Sequence, residues 1–460
     1  MIQAGIATFI LFASLLRIPS VAASVLTACL LLHLPFVLST FHNADFVLAA
    51  LILSAIALLI SVRYLDIGQI YVPRIFAAAI LIWLAASLSS VIFSQSPESS
   101  YVAFRRVMPN ILLVGLILWL IGDTRSLARI YDVLVWISVI LAAIAIVQVL
   151  FALDHLNFGG LGSSDIRHIS GEVNLVRPGG PVGDPNFFAT YLIPGALISA
   201  SRLFAARRLP WIGLYSLAAL TVCGGIFATA SRGGVIAFGL GILVLIAFER
   251  KIWPFLLIFA TLSLFLVTQP TAYVDRITGG FSALTDVVSG RLNESEIPEQ
   301  ALAGRLGEMK SAVYMFVDNP WTGVGYGQFE NHFQEYVARF NILMRNSDRG
   351  AHSLYLEVAA ETGIIGLVGL LIVFALGFWN IAKAGQAAQK SREEGLFRDI
   401  RSFCVAVLFI LVSHWLLHDA KFSYLWLFIG LLFIPVAVFE DQMARKNGKQ
   451  KMFNGRSLRE

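Results

Sequence analysis

Charged side chains are scarce in this chain of 460 residues: Asp, Glu, Lys and Arg make up 14% of it, and hydrophobic residues 57%. Ordinary soluble domains carry about a quarter charged residues, so a chain this long could not cover a water-exposed surface with so few. The scarcity excludes a disordered protein, a nucleic-acid binder and a cytosolic enzyme. The mean hydropathy of +0.76 instead indicates a chain whose solvent is lipid.

Cysteine is also rare. Cys29, Cys223 and Cys404 occur singly inside apolar stretches, far apart in the sequence. This spacing excludes a zinc site, a Cys-x-x-Cys motif and a disulfide framework, so the sequence implies no cofactor held by cysteines.

Long apolar runs are abundant, and each run of about 20 residues can cross a bilayer as a helix. The sequence predicts an all-α, polytopic membrane protein of about 12 transmembrane helices. Residues 2–16 form a further short apolar run, which we interpret as a first span or an interfacial helix. The predicted spans lie near residues 20–40, 44–62, 74–94, 107–122, 130–152, 186–206, 210–229, 233–248, 252–268, 359–381, 401–418 and 423–439.

Basic residues in the short connections predict the orientation, because cytoplasmic loops are enriched in Lys and Arg. Six basic segments alternate with basic-poor ones and are therefore expected in the cytoplasm, where anionic membrane lipids attract them. Arg105 and Arg106 fall on the other side, either snorkelling to the interface or binding an anionic lipid-linked ligand. The six segments contain Arg63 and Arg74, Arg125 and Arg129, Arg202 to Arg208, Arg250 and Lys251, Lys383 to Arg401, and the tail after Glu440.

Two segments on the opposite, non-cytoplasmic side are too long to be simple turns: a short loop near 153–185 and a large one over 270–352. The large loop holds 17 of the 63 charged residues, a density close to that of a soluble domain, and a structured loop of this length is usually functional. We therefore divide the chain into residues 1–269 with the first ten or so spans, the loop domain 270–352, the last three spans in 353–440, and a basic cytoplasmic tail, 441–460.

Within the large loop, an apolar pattern at helical spacing predicts an amphipathic helix. Asn319-Pro320 should end it, and a second helical stretch is expected over roughly 328–340. The residues of the pattern are Leu302, Leu306, Met309, Val313 and Phe316.

Three ionisable residues near the outer face could carry chemistry. Arg232 lies beside Gly233 and Gly234 between two adjoining spans, where a guanidinium and exposed backbone N–H groups suit a phosphate; an interfacial arginine that ends a helix fits equally. Arg305 opens the predicted loop helix, where exposed arginines are ordinary. His352 ends the large loop and could accept a proton from a hydroxyl, although it could also be only a polar residue at a helix start.

Other polar residues have weaker claims to the site. Asp184 and Asn186 precede a span, where capping is the first interpretation and lining a ligand cleft the second. Asp419 lies in a short outer turn and could line a site from below. Glu357 and Glu361 share a helix face, and we interpret them as interface groups rather than as a catalytic carboxylate pair.

The ordered set of these motifs resembles the O-antigen ligase and polymerase superfamily of bacterial envelope glycosyltransferases. The resemblance is strongest from about Pro178 to Leu367. It is carried by Gly183-Asp184-Pro185-Asn186, Ser231-Arg232-Gly233, Arg305, Asn319-Pro320-Trp321-Thr322-Gly323-Val324-Gly325, His352-Ser353-Leu354-Tyr355-Leu356-Glu357 and Glu361-Thr362-Gly363-Ile364-Ile365-Gly366.

The resemblance implies an activity at the periplasmic face of the bacterial inner membrane. An undecaprenyl-diphosphate-linked glycan would be the donor, and lipid A-core, another lipid-linked glycan or a different acceptor would receive it. By the same resemblance, Arg232 and Arg305 bind the donor diphosphate and His352 serves the acceptor. Asp184, Asn186 and Asp419 match more loosely.

The chemistry of the residues agrees with these roles. Two guanidiniums can stabilise the charge that grows on a diphosphate leaving group, so no metal is expected, and a base at the acceptor predicts inversion at the anomeric carbon. The alternative class is a polytopic secondary transporter, which would place its polar residues at mid-bilayer on broken helices. A scaffold protein would leave Arg232, Arg305 and His352 unexplained. The sequence does not decide between a ligase and a polymerase. The identity of the sugar repeat and the oligomeric state also stay open at this point.

Overall fold

The computed structural model describes residues 24, 27, 28, 31, 73–169, 173–250, 256, 300–340, 350–417 and 423–444, and within these it describes 165–169, 173–175, 300–305 and 423 by their backbone alone. In chain order, the helices and strands are α1 (Arg74–Ile92), α2 (Pro97–Leu120), α3 (Thr124–Leu150), β1 (Ser163–Ile169), β2 (Val173–Gly180), α4 (Pro185–Ala205), α5 (Leu209–Ala228), α6 (Arg232–Glu249), α7 (Gln300–Asp318), α8 (Phe329–Phe340), α9 (Leu354–Lys390), α10 (Glu394–Ser413) and α11 (Ser423–Leu431).

Seven of the described helices are long and apolar enough to cross a membrane: α1 to α6 and α9. They confirm a multi-pass helical membrane protein, as the composition predicts. The predicted spans over 20–40, 44–62 and 252–268 lie outside the described residues apart from a few isolated positions, so the total of about 12 stays a prediction.

Successive helices run in opposite directions, which gives the described bundle two distinct ends. One end, here called the basic end, contains Arg125, Arg202 and Arg401; Arg401 pairs there with Glu249 at the end of α6. The other, here called the loop end, contains the β1–β2 hairpin, α7, α8 and the start of α9. The positive-inside rule predicts that the basic end lies in the cytoplasm, and this orientation stays a prediction.

Helix α4 lies at the centre of the bundle, with nearly every residue from Pro185 to Phe204 buried. Small residues bring its neighbours close: a Cβ on Gly234 of α6 would overlap Ala189, and one on Gly225 of α5 would overlap Ala142 of α3. Such close approach strengthens van der Waals packing between helices in lipid, where no hydrophobic driving force acts between them. The start of α6, which carries Arg232, is therefore held firmly against α4.

Helix α9 has 37 residues and would extend about 55 Å at 1.5 Å per residue, well beyond a hydrocarbon core of about 30 Å. Its first turns lie outside the predicted span 359–381. It also changes direction at Gly363, whose φ of 62° and ψ of −164° are not helical. The segment between α7 and α8 packs against this kink, since the Val324 N–H donates to the Ala360 carbonyl (2.9 Å) and the Ile364 N–H donates to the Pro320 carbonyl (2.8 Å).

Gly363→Ala is expected to destabilise the protein by roughly 1–3 kcal/mol, because this region of φ/ψ space is essentially restricted to glycine and a Cβ would also overlap the Trp321 backbone. The midpoint of thermal unfolding in detergent measures the effect. Gly239→Ala on α6 is the matched control, since its Cβ would meet nothing within 4 Å and alanine favours a helix by up to about 1 kcal/mol. Equal midpoints for the two variants would contradict this account of the kink.

The two predicted helices of the large loop are confirmed as α7 and α8, and α7 ends at Asp318, directly before Asn319-Pro320. The apolar pattern nevertheless indicates the wrong packing face for α7. Val313 is 43% exposed, whereas Glu308, Ser311, Ala312 and Met315 are buried. The small side chains of Ser311 and Ala312 allow α7 to approach its neighbours closely. The packing contacts made on this face therefore stabilise the helix position more than burial of the larger apolar residues on the adjacent face would.

The predicted span over 423–439 is interrupted, because α11 ends at Leu431 and a turn precedes Pro435. Asn380 of α9 lies at the interruption and donates both amide hydrogens, to the carbonyls of Leu432 (3.0 Å) and Ile434 (2.9 Å). Backbone carbonyls released from a helix must find donors inside the protein when no water is near. Asn380 supplies them here.

The short loop near 153–185 contains a β-hairpin that the all-α prediction missed. Strands β1 and β2 pair antiparallel from Ser163 opposite Gly180 to Ile169 opposite Val173, with an irregularity at Ser163/Ser164. Neither strand alternates apolar and polar residues strictly enough to stand out from a loop sequence. The hairpin leads directly into the start of α4.

Candidate functional site

His352 lies in the turn that starts α9, at the loop end. The N-cap of α9 is Ser353, whose hydroxyl accepts from the Leu356 N–H (3.4 Å), so capping does not explain the histidine. The Leu354 N–H donates to the carbonyls of His414 (2.9 Å) and Leu417 (2.8 Å) at the end of α10. His352 has a φ of +48°, a conformation uncommon for residues other than glycine, and these contacts hold it there.

A carboxylate adjoins the imidazole. Glu308 Oε2 of α7 lies 3.2 Å from His352 Nε2; the glutamate side chain is 4% exposed and the histidine side chain 18%. A carboxylate in this position orients a histidine and stabilises the imidazolium that forms when the ring takes up a proton. The sequence reasoning missed Glu308, although its position one turn after Arg305 was the available signal.

Arg305 lies in the first turns of α7, on the helix that supplies Glu308. The structure describes its backbone position alone. The helix therefore joins the predicted diphosphate residue to the His352 pair, while the role of the guanidinium stays a prediction.

Tyr336 of α8 is a further titratable side chain of this loop domain. Burial, followed by a hydrogen bond to Asp318, raises the pKa of its phenol to about 12. The neutral form therefore dominates at physiological pH, which makes Tyr336 unsuitable as a base.

Arg232 is the first residue of α6, and a buried arginine supports the turn before it. Arg177 at the end of β2 is 1% exposed; its Nε donates to the Thr229 carbonyl (3.1 Å) and an Nη donates to Asn186 Oδ1 (3.2 Å). The hydroxyl of Ser231 then caps α6 by accepting from the Gly234 N–H (3.3 Å). The sequence reasoning passed over Arg177, which the glycine- and proline-rich segment before a predicted span could have indicated.

The two residues before α4 have different roles. Asp184 is the N-cap, accepting from the N–H groups of Asn186 (2.6 Å) and Phe187 (3.2 Å), which agrees with the capping interpretation. Asn186 instead binds the Arg177 guanidinium. It thereby connects the start of α4 with the turn before Arg232.

The starts of α4, α6 and α9 all lie at the loop end of the bundle. The ring of Phe187 in α4 lies 6.2 Å from that of His414, whose carbonyl accepts the Leu354 N–H. Arg177 connects the turn before Arg232 to the start of α4, because it donates to both Thr229 and Asn186. His418 and Asp419 lie outside the described residues, and the possible contribution of Asp419 stays a prediction.

A cavity of about 320 Å³ between α2 and α9 adjoins the His352 turn and includes Trp83, Arg106, Tyr326, Glu357 and Glu361 in its walls. We call it the α2–α9 cavity. Arg105 and Arg106 are both exposed, but they point to different sides of α2, since successive helical residues are about 100° apart. Arg106 is the member of the arginine pair that lines this cavity.

The two glutamates of the cavity bind backbone groups, which agrees with their interpretation as interface groups. Glu357 accepts from the Ala351 N–H (3.2 Å) and so holds the residue before His352. Glu361 accepts from the N–H groups of Gly327 (2.8 Å) and Phe329 (3.1 Å) at the start of α8. Among the described residues, no three His, Cys, Asp or Glu side chains are grouped so that they could hold a metal ion.

These features define a polytopic helical membrane protein with a buried carboxylate–histidine pair at one end of its bundle. Residues 217–371 match the family of O-antigen ligases, which confirms the resemblance to the O-antigen ligase and polymerase superfamily. The matched stretch runs from α5 into α9 and contains Arg232, Arg305, Glu308 and His352. It supports a glycosyltransferase of this kind over the transporter alternative. The comparison with curated proteins gave no match.

Proposed function

We propose that this protein transfers a glycan from an undecaprenyl-diphosphate carrier to an acceptor hydroxyl at the periplasmic face of the bacterial inner membrane. The acceptor would be lipid A-core, another lipid-linked glycan or a further hydroxyl-bearing molecule. The observation that carries the proposal is the buried Glu308 carboxylate beside His352, at the loop end and within the stretch that matches the ligase family.

His352 would act as the general base. A sugar hydroxyl is a weak nucleophile until its proton is removed, and a positioned base contributes roughly 100- to 10,000-fold. The Glu308 carboxylate would stabilise the imidazolium formed in this step. Attack by the hydroxyl oxygen on the anomeric carbon forms the new glycosidic bond while the bond to the diphosphate breaks, so a single displacement inverts the anomeric configuration. The proton moves to the histidine and the electron pair leaves with the diphosphate.

Arg232 and Arg305 would bind the donor diphosphate. Arg232 lies at the N-terminus of α6, where the helix dipole and the backbone N–H groups of the first turn attract anions. Its neighbour Gly233 has open space around its Cα, which leaves room for a phosphate to approach the backbone. The α2–α9 cavity, with Arg106 in its wall, offers space for part of a substrate next to the His352 turn.

The test is reconstitution in vesicles with an undecaprenyl-diphosphate-linked glycan and a lipid acceptor. We expect transfer of the glycan with release of undecaprenyl diphosphate, and NMR of the product should show the anomeric configuration opposite to that of the donor. Retention of configuration would contradict direct displacement. Movement of an unaltered solute across the vesicle membrane without glycan transfer would instead favour a transporter.

Transfer is expected to continue in excess EDTA, because two guanidiniums can stabilise the developing diphosphate charge without a divalent ion. The reconstituted rate with and without chelator measures this. Loss of activity on chelation and its recovery with magnesium would contradict the prediction and direct attention to Asp184 and Asp419 as metal ligands.

A further inference from the structure

The basic end of the bundle contains a second cavity, of about 680 Å³, far from the His352 turn. We call it the basic-end cavity. We propose that it binds the phosphate headgroup of an anionic phospholipid. The proposal does not depend on the proposed glycosyl transfer.

The inner wall of the basic-end cavity is an ion-pair group in which Asp399 and Arg202 are largely buried and Asp132 is about half exposed. The Arg202 guanidinium at the end of α4 donates twice to the Asp399 carboxylate of α10 (3.0 and 2.7 Å) and once to Asp132 of α3 (2.7 Å). These contacts join three helices and satisfy the charge of Arg202. Asp132 and Asp399 are therefore engaged in the wall of the cavity.

Three more arginines line the same cavity from two different connections: Arg125 at the start of α3, and Arg207 and Arg208 between α4 and α5. In the described part of the chain, no carboxylate forms an ion pair with any of them. The remaining acidic residue of the lining, Glu393, accepts from Gln442 (2.6 Å). The lining therefore has four arginines against three carboxylates, and the guanidiniums of Arg125, Arg207 and Arg208 can form paired hydrogen bonds to phosphate oxygens.

Aromatic residues indicate a lipid rather than a free anion. Trp211 lines the basic-end cavity and is 50% exposed, and its ring stacks on that of Tyr215 with centroids 5.9 Å apart. Tryptophan and tyrosine are favoured where headgroups meet acyl chains. A phospholipid could place its phosphate among the arginines and its glycerol and upper acyl chains along Trp211, as basic pockets between cytoplasmic helix ends do.

The test is binding of fluorescent phosphatidylglycerol to the purified full-length protein in neutral detergent, followed by anisotropy. Each arginine near an anionic headgroup is worth about fivefold in affinity. We therefore expect Arg125→Gln to weaken binding about fivefold and the double variant Arg207→Gln/Arg208→Gln roughly 30-fold. Arg250→Gln is the matched control. Arg250 is an exposed arginine that follows α6 at the basic end of the bundle, and its replacement should leave the affinity unchanged.

Competition distinguishes the ligand. Unlabelled phosphatidylglycerol should displace the probe, whereas phosphatidylcholine with the same acyl chains and inorganic phosphate should not at equal concentration. Displacement by phosphatidylcholine, or by inorganic phosphate as effectively as by the lipid, would overturn the proposal. So would an equal loss of affinity in Arg250→Gln. Because Arg125 lies on α3, apart from the α4–α5 connection that carries Arg207 and Arg208, the Arg125→Gln variant alone tests the proposal if the double variant fails to fold.

Discussion

Replacing His352 by alanine is expected to lower the rate of glycan transfer roughly 100- to 10,000-fold, the contribution of a general base. Donor binding should persist, because the diphosphate contacts are assigned to other residues. His352→Gln separates the two roles of the side chain, since glutamine can donate a hydrogen bond to Glu308 but cannot take the proton from the acceptor. We expect it to be nearly as slow as the alanine variant.

Glu308→Gln extends this test to the orienting group. The amide keeps the size of the carboxylate and removes the negative charge that stabilises the imidazolium, so kcat should fall while KM changes little. The pair of His332 and Glu335 on α8, 3.6 Å apart, provides the matched control: the Glu335 side chain is 65% exposed, so Glu335→Gln should leave transfer near the native rate. Native transfer by His352→Gln would contradict the assignment of the base.

Arg232→Lys and Arg305→Lys are each expected to lower kcat/KM on the order of 100-fold or more, the usual cost of removing one donor that stabilises developing charge. Lysine keeps the positive charge but loses the planar, two-point contact with phosphate oxygens. Protein level and membrane insertion should stay normal. Transfer from the lipid-linked donor by purified variants provides the measurement.

Arg339→Lys is the control for this pair, because Arg339 lies on α8, is about half exposed and forms an ion pair with Asp318 on the protein surface. An exposed ion pair contributes little to stability, so the variant should transfer glycan normally. Near-native transfer by both Arg232→Lys and Arg305→Lys would remove the diphosphate contacts from the proposed mechanism.

Local patterns in the sequence predicted several features that the structure contains. Apolar runs of sufficient length indicated the membrane helices, because lipid leaves the backbone few alternatives to a helix. Asp184 before Pro185 indicated a helix start, and Asn319-Pro320 a helix end; each signal depends on neighbouring residues alone. The ordered motifs around Arg232 and His352 indicated the superfamily.

Contacts between distant parts of the chain could not be predicted in this way. Glu308 follows Arg305 by one helical turn, but its approach to His352 depends on how α7 packs against α9. The apolar pattern of α7 indicated a different face from the one that packs. Arg177 donates to the carbonyl of Thr229, 52 residues away in the sequence, in the turn before Arg232. No local sequence pattern predicts this hydrogen bond.

The amino-acid sequence by itself determined that lipid surrounds this protein, where several helices start and end, and which residues can carry charge or accept a proton. The tertiary structure decided which of these residues meet. Burial of Glu308 depends on the close packing of small side chains, and the conformation of His352 depends on contacts from α9 and α10. Packing selects among many pairings that are equally compatible with local sequence, because it is the sum of contacts between segments that are far apart along the chain.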